Sequence, residues 1–265
     1  MENRDKVCEL LVSLVEIMER LRAPNGCPWD AKQTKETIRI YLLEEAYEVL
    51  EAIEKKDPDS LCEELGDLFF QIIFLCQLAK EKGEFNLIDV LKKIRDKMIR
   101  RHPHVFGNKK VKNAKEVSDN WAKIKMQEKK GLKNITDILD TIPHTLPALL
   151  MAHRISERVS KIGFDWKDKK DIWDKVKEEY RELSEAIYNK DMVKVKEEIG
   201  DLIFSLVNLA RHWEFNAEDI LRETNKKFFH RFNKMVAKLN QRGIDIDNAT
   251  IDQMNEAWED IKKNA

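Results

Sequence analysis

The chain has 265 residues, and 37% of them are charged, with 48 basic side chains balanced against 49 acidic ones. The resulting net charge of −1 gives no overall field that would attract nucleic acid or an anionic membrane, so direct nucleic-acid binding is not expected. With only 8 Gly and 6 Pro, and with many Glu, Lys, Leu and Ile, the composition predicts an all-α protein.

The N-terminal sequence and the cysteines predict a cytoplasmic protein. "MENRDKVCEL" is charged from its start and contains no apolar stretch of the kind that secretory signals need. The longest apolar run, "LFFQIIFLCQLA" at 68–79, is too short to span a bilayer. The four cysteines form no CxxC pair, which indicates reduced thiols rather than a disulfide framework. We therefore expect no membrane association.

Apolar residues along the chain recur at the spacing of bundle helices. Intervals of three and four residues continue through two consecutive segments near the N-terminus and through two more in the second half. The first pair comprises Leu42, Ala46, Val49 and Ile53, then Leu61, Leu65, Leu68, Ile72, Leu75 and Ala79. The second pair comprises Val176, Tyr180, Leu183 and Ile187, then Ile199, Leu202, Leu206, Leu209 and Trp213.

These segments belong to an internal repeat. "LLEEAYEVLEAI" (42–53) aligns with "VKEEYRELSEAI" (176–187) at an offset of 134, and "EELGD" (63–67) aligns with "EEIGD" (197–201) at the same offset. "EFN" recurs at 84–86 and 214–216, an offset of 130. "NWAKIK" at 120–125 resembles "AWEDIK" at 257–262.

The repeat predicts two tandem units of four helices each. The first unit covers residues 1–112, a Trp-bearing helix and a linker cover 113–143, and the second unit with its C-terminal Trp helix covers 144–265. Within the stretch from 131 to 147, Gly131, Pro143 and Pro147 act as helix breakers between the units.

Each copy places acidic residues three apart on two successive helices, so that each pair projects from one helix face. If the two helices pack antiparallel, four carboxylates converge in each copy. The first set is Glu45, Glu48, Glu64 and Asp67, and the second is Glu179, Glu182, Glu198 and Asp201. Solvated helix faces are the alternative interpretation, which the repetition of the whole pattern disfavours.

Clustered carboxylates need a counter-ion, and oxygen-only ligands suit Mg²⁺, Mn²⁺ or Ca²⁺. Zn²⁺ and a di-iron centre are disfavoured because no Cys or His accompanies the acids. On the following helix of each copy, two cations spaced four residues apart are candidates to hold phosphate oxygens. These are Lys97 with Arg101, and Lys227 with Arg231.

Two further motifs contain residues found in metal sites or as nucleophiles, but neither has the partner residues that such a site needs. His102 and His104 form an HxH pair in "RRHPHVFG", but Pro103 separates them and no third ligand lies nearby, which argues against a metal site. Cys27 in "GCPWD" has no evident His partner for nucleophilic chemistry, and the motif is typical of a turn before a helix.

The chain resembles the MazG family of nucleoside triphosphate pyrophosphohydrolases, within the all-α NTP pyrophosphatase superfamily. The matching motifs span nearly the whole chain. They are "GCPWD" (26–30), "LLEEAYEVLEAI", "EELGDLFFQIIF", "RRHPHVFG" (100–107), "LPALLMAHRISERVSKIGFDW" (146–166), "EEIGDLIFSLVNLAR" (197–211) and "KFFHRF" (227–232).

The resemblance implies Mg²⁺-dependent hydrolysis of a nucleoside triphosphate to the monophosphate and pyrophosphate, with Mn²⁺ as a possible substitute. It also implies a homodimer that completes the helical units across subunits, and a second-copy site that carries most turnover. Its metal ligands fall on the eight acids named above. Its nucleotide contacts fall on Lys175, Glu178, Lys194, Glu197, Lys227, Arg231, Trp258 and Lys125.

The mechanism that we expect uses Glu178 or Glu179 to accept the proton of the attacking water. Trp258 is expected either to stack on a nucleobase or to serve as a core residue. The alternative function is a helical module that binds or senses metal–nucleotide complexes without turnover, since the same residues serve binding and hydrolysis.

Overall fold

A computed structural model describes residues 2–113, 116, 117, 120, 121, 124, 128 and 139–263. Regular structure in these residues is helical, with no β-strand, which confirms the all-α prediction. The contacts divide the chain into two compact units, Met1–Lys129 and Lys130–Ala265, and each is described separately below. The predicted linker includes residues 131–138, which lie outside the described residues.

The first unit is built on a hairpin of two long helices. Its helices are α1 (Glu2–Arg22), α2 (Pro28–Lys32), α3 (Lys35–Lys55), α4 (Pro58–Glu81), α5 (Leu87–Arg101) and α6 (Pro103–Phe106). Beyond α6, residues 116, 117, 120, 121, 124 and 128 are also helical. Because only two residues separate α3 from α4, these helices pack as antiparallel neighbours.

Local capping fixes the ends of the α3–α4 hairpin. The Thr34 side chain accepts a hydrogen bond from the Thr37 amide and so caps α3. Lys56 adopts a left-handed conformation with φ of 55° and ends α3. The Asp57 carboxylate then accepts from the amides of the first turn of α4, whose first residue is Pro58.

The core of the first unit lies between α1, α3 and α4. Met18, Ile38, Ile73, Phe74 and Leu78 are buried together there. Burying side chains of this size contributes roughly 1.5–3 kcal/mol each. This core holds the buried faces of α3 and α4 in register and leaves their acidic faces open.

The second unit repeats this arrangement. Its helices are α7 (Ala148–Ser160), α8 (Lys169–Tyr188), α9 (Met192–His212), α10 (Ala217–Gln241) and α11 (Ile251–Lys263), with a 3₁₀ turn at Ile246–Asn248. Asp168 caps α8 and Asp191 caps α9. Lys190, with φ of 56°, makes the turn between them as Lys56 does in the first unit.

Two groups of buried residues hold the second unit together. Ile172, Val176 and Val207 are buried where α8 packs on α9. Met235, Leu239 and Ala257 join α10 to α11. None of the helices in the described part of the chain has both the length and the apolar character that crossing a membrane requires.

Glu157 on α7 forms two ion pairs whose contribution to the stability of this unit can be measured. Its carboxylate pairs with Arg154 at 2.7 Å and with Lys161 at 2.8 Å. Burial acts to raise the pKa of Glu157, but hydrogen bonds from Lys161 and Arg154 outweigh it and lower the pKa to about 2. We expect Glu157→Gln to lower the free energy of unfolding at pH 7 by about 1 kcal/mol.

Because the folded pKa lies below the ordinary value of 4.5, this contribution is complete above that pH and is lost as the pH falls towards 2. Denaturant unfolding at pH 7 and pH 3 measures the effect, and the difference between wild type and variant should shrink at the lower pH. Glu223→Gln is the control, since no ion pair of Glu223 occurs among the described residues. An equal difference at both pH values would contradict this assignment.

Candidate functional site

The α8–α9 hairpin brings together acidic residues from its two helices. Carboxylate oxygens of Glu179 and Glu182 on α8 and of Glu198 on α9 all lie within 4.8 Å of one another. Glu179 is buried, and the other two are half-buried. The antiparallel packing of two long helices therefore brings together three of the four carboxylates that the spacing predicts.

The local environment disfavours negative charge at this cluster. Burial raises the pKa of Glu198, and the charges of Glu182 and Glu179 raise it further. Asp201, the fourth predicted ligand, is exposed and lies outside the cluster of three, although its charge contributes to the same shift. The three glutamates repel one another in the absence of a cation.

The first unit contains the equivalent cluster. Oxygens of Glu45, Glu48 and Glu64 lie within 4.8 Å of one another, and Asp67 is again exposed and outside the three. Burial raises the pKa of Glu45 and of Glu64. The Gln71 amide donates a hydrogen bond of 3.3 Å to Glu45, a contact that sequence reasoning missed.

Lys175 distinguishes the second cluster from the first. Its ammonium group lies 2.8 Å from Glu179 and 2.9 Å from Glu178, and these hydrogen bonds raise the pKa of Lys175. At the offset of 134 the equivalent residue is Tyr41, which carries no charge and packs edge-to-face on Trp29 with ring centres 5.6 Å apart. Only the second cluster therefore has a lysine at this position.

The remaining predicted nucleotide contacts occupy different positions. Lys194 and Glu197 are exposed on α9. Lys227 is exposed and Arg231 half-buried on α10, and no described hydrogen bond or ion pair joins either of them to the acidic cluster. Lys125 lies outside the described residues.

Trp258 is half-buried on α11. Its surroundings are compatible with a core role and with stacking on a nucleobase. Its ring packs against Phe228 on α10, with ring centres 5.3 Å apart. It borders the core cluster of Met235, Leu239 and Ala257. The residue therefore has a packing role, and it also lies next to the helix that carries Lys227 and Arg231.

The first-unit cations differ from those of the second unit. Lys97 and Arg101 are half-buried on α5. Arg101 donates hydrogen bonds of 2.6 and 3.0 Å to one oxygen of Glu128. No motif indicated Glu128, which follows Arg101 by 27 residues.

Asp165 is a further residue that the sequence did not single out, although it lies in the quoted "GFDW" segment. Its carboxylate accepts hydrogen bonds from Arg211 at 2.6 and 3.0 Å and contacts His212 at 2.8 Å. These bonds tie the segment before α8 to the C-terminal end of α9. They hold the hairpin that carries the acidic cluster.

The described contacts of His102, in the HxH pair, are with the backbone and with neighbouring rings. His102 contacts the Met98 carbonyl at 2.7 Å, and its ring packs edge-to-face on Trp121. Groups of residues able to hold a metal occur, within the described ranges, only at the two glutamate clusters. Each cluster offers three convergent carboxylates, which fit a hard divalent cation with oxygen ligands. The pKa is raised at Glu198 in the second cluster and at Glu45 and Glu64 in the first.

Comparisons with known proteins support a family assignment. The family model described as "MazG nucleotide pyrophosphohydrolase domain" matches twice, at residues 33–106 and 168–243. These ranges contain the α3–α5 and α8–α10 segments with both acidic clusters. The double match confirms the predicted tandem repeat.

Full-length relatives carry names that agree with this match. The chain is 45% identical over 253 residues to the nucleoside triphosphate pyrophosphohydrolase/pyrophosphatase MazG of Thermotoga maritima, covering 96% of each chain. It is 44% identical over 256 residues to the nucleoside triphosphate pyrophosphohydrolase of Escherichia coli K12, covering 94% of this chain and 96% of the relative.

Solved structures also match part of the chain. One of them is the crystal structure of a mazG-related protein from Thermotoga maritima, 32% identical, with a TM-score of 0.38, covering 43% of this chain and 97% of that one. The double family match and the full-length relatives together show that this chain belongs to the MazG nucleotide pyrophosphohydrolase family.

Proposed function

We propose that the chain hydrolyses nucleoside triphosphates to nucleoside monophosphates and pyrophosphate, with most turnover at the second-unit site. The observation that carries this proposal is the cluster of Glu179, Glu182 and Glu198 within a segment that matches the family. The names of the full-length relatives support the reaction. Release of pyrophosphate rather than phosphate from a nucleoside triphosphate tests it.

The three glutamates are the proposed ligands of Mg²⁺, with Mn²⁺ as a substitute, and Asp201 is the fourth. In the first unit the equivalent ligands are Glu45, Glu48, Glu64 and Asp67. A bound divalent cation supplies neutralisation of triphosphate charge and a more acidic water. Both acid sets are intact, so the proposal assigns a metal site to each unit.

Glu178 and Glu179 are the two candidates for the general base that accepts the proton of the reacting water. A hydrogen bond from Lys175 lowers the pKa of Glu178, which keeps that side chain ionised at neutral pH and able to accept a proton. Because Glu179 belongs to the carboxylate cluster, Glu178 is the better candidate for the general base. Lys175 orients both carboxylates by bridging them.

The proposal assigns the substrate phosphates and base to residues other than those of the acidic cluster. Lys227 and Arg231 supply positive charge and guanidinium geometry that suit phosphate oxygens. Lys194, Glu197 and Lys125 are further proposed nucleotide contacts. Trp258 provides an aromatic face that stacks on any base. Lys97 and Arg101 are the matching cations of the first unit.

We also propose that two copies of the chain associate. On α9, Ile199, Ile203 and Leu206 share one face, and each is 45–46% exposed. The equivalent first-unit residues Leu65 and Ile72 are also exposed, at 49% and 37%. An apolar stripe left open at equivalent positions of both units supports a homodimer in which the partner covers it.

Gly66 and Gly200 lie inside helices beside this stripe, where Gly disfavours a helix by about 1 kcal/mol relative to Ala. A Cβ at either position would meet nothing within 4 Å in the chain itself. The proposed partner or substrate, rather than a neighbouring helix of the same chain, then accounts for the glycines. Cytoplasmic location stays a prediction from the N-terminal sequence and the cysteines, and the absence of nucleic-acid binding stays a prediction from the charge balance.

Mg²⁺ is expected to raise the melting temperature, because a cation that binds only the folded clusters relieves their repulsion. For a chain of this size, each kcal/mol of binding free energy raises the melting temperature by about 2–4 °C. Thermal unfolding with millimolar MgCl₂, against NaCl at equal ionic strength, measures the shift. The double variant Glu64→Gln with Glu198→Gln should reduce it, and an unchanged melting temperature of the wild type would contradict the metal sites.

A further inference from the structure

Glu128 accepts hydrogen bonds from two arginines of the first unit, Arg100 and Arg101. One of its oxygens accepts two hydrogen bonds from Arg101, at 2.6 and 3.0 Å, and the other accepts one from Arg100 at 2.6 Å. The side chains of Arg101 and Glu128 are only 15% and 16% exposed. Hydrogen bonds from Arg101 and Arg100 hold the pKa of Glu128 at about 2, so the group is fully ionised at neutral pH.

In the described part of the second unit, no carboxylate is paired with the arginine equivalent to Arg101. Arg101 corresponds to Arg231 at the offset of 130, and Trp121 corresponds to Trp258 at an offset of 137. The second of these offsets places Ala265, whose side chain carries no carboxylate and which lies outside the described residues, opposite Glu128. No ion pair of Arg231 occurs among the described residues.

We propose that Glu128 acts as an internal competitor for phosphate at the first-unit site. The proposal rests on the function proposed above, in which Arg101 and its equivalent hold substrate phosphates. A carboxylate and a phosphate both accept hydrogen bonds from the N–H groups of a guanidinium, so they compete for the same donors. A triphosphate must displace Glu128 before it gains Arg101, whereas Arg231 requires no such displacement. Glu128 therefore weakens substrate binding at the first site selectively.

A purely structural role predicts a different outcome. Glu128 lies in the helical segment that also places Trp121 against His102, with ring centres 5.5 Å apart. If the carboxylate only fastens this segment to α5, its removal destabilises the unit and leaves phosphate affinity unchanged or lower. If it competes with phosphate, its removal increases affinity even where the melting temperature falls.

The test measures binding of an α,β-methylene nucleoside triphosphate with Mg²⁺ by calorimetry. The background carries Glu198→Gln and Arg231→Met, which disable the second site. Adding Glu128→Gln, which keeps the size and removes the charge, should lower the Kd by tenfold or more. Glu81→Gln is the matched control, since it removes the ion pair with Arg22 at 2.7 Å in the same unit and should leave the Kd unchanged.

Arg101→Met added to Glu128→Gln should cancel the gain, because the donors freed by the first change are then absent. An unchanged or higher Kd in Glu128→Gln, or no detectable binding with or without it, would overturn the inference. Binding is measured without turnover, so tighter binding in a protein that never releases pyrophosphate would reject the proposed function and keep this inference. Pyrophosphate release by the wild type, together with an unchanged Kd in Glu128→Gln, would support the proposed function and reject this inference.

Discussion

Glu198→Gln is expected to lower kcat/KM for nucleoside triphosphate hydrolysis by about 10²–10³-fold, the range seen when one preorganised electrostatic contact at a reaction centre is removed. Glu198 is the α9 member of the second-unit cluster, and the nearby charges of Glu182 and Glu179 act to raise its pKa. Helical content should stay unchanged, since the substitution preserves size and removes a repelling charge. The metal-free variant should even gain slightly in stability.

Glu64→Gln is the matched variant, because it makes the same change at the equivalent residue of the first unit. We expect it to reduce kcat/KM by less than tenfold, which corresponds to a loss of less than about 1.4 kcal/mol of transition-state stabilisation. The first cluster has Tyr41 where the second has Lys175, and its Arg101 is paired with Glu128. A greater loss in Glu64→Gln than in Glu198→Gln would reverse the assignment and make the first unit the working site.

Ile203→Glu is expected to convert the proposed dimer to monomers. The residue is 46% exposed in the chain and lies at the centre of the α9 stripe. In a dimer the new carboxylate would be buried without a partner, and burial of an unpaired charge is strongly unfavourable. Light scattering should give twice the 31.3 kDa chain mass for the wild type and one chain mass for the variant.

Gln241→Glu adds the same charge at an exposed position of α10, outside the stripe, and should leave the dimer intact. A wild-type mass equal to one chain would contradict the dimer directly. A variant that remains dimeric would show that the α9 stripe is not the interface.

Much of the fold followed from periodicity and from the repeat. Spacings of three and four residues predicted the helices, and a single offset aligned the two hairpins. The same spacing predicted which glutamates converge, because residues three apart share a helix face and the hairpin turn is short. Asp67 and Asp201 lie outside the clusters, and their side chains are one methylene shorter than those of the glutamates.

Contacts between distant residues were not predictable in the same way. Glu128 meets Arg101 across 27 residues, and Asp165 meets Arg211 across 46, through packing that no local pattern encodes. The ion pairs of Lys175 with Glu178 and Glu179 lie within one helix. Their importance is clear only from the structure, because it shows that Glu179 is buried. The first unit has Tyr41 at the position of Lys175 and therefore lacks these pairs. Sequence alone predicted the glutamates that converge but missed what distinguishes the two clusters.

Product identity tests the central claim most directly. The purified protein is incubated with Mg²⁺ and each of several nucleoside triphosphates, and monophosphate, diphosphate, pyrophosphate and phosphate are quantified separately. The account predicts equal amounts of monophosphate and pyrophosphate, a requirement for the divalent cation, and near-complete loss in Glu198→Gln. Diphosphate with phosphate, or nucleotide binding with no product at all, would contradict it, and the second result would establish the binding module without turnover.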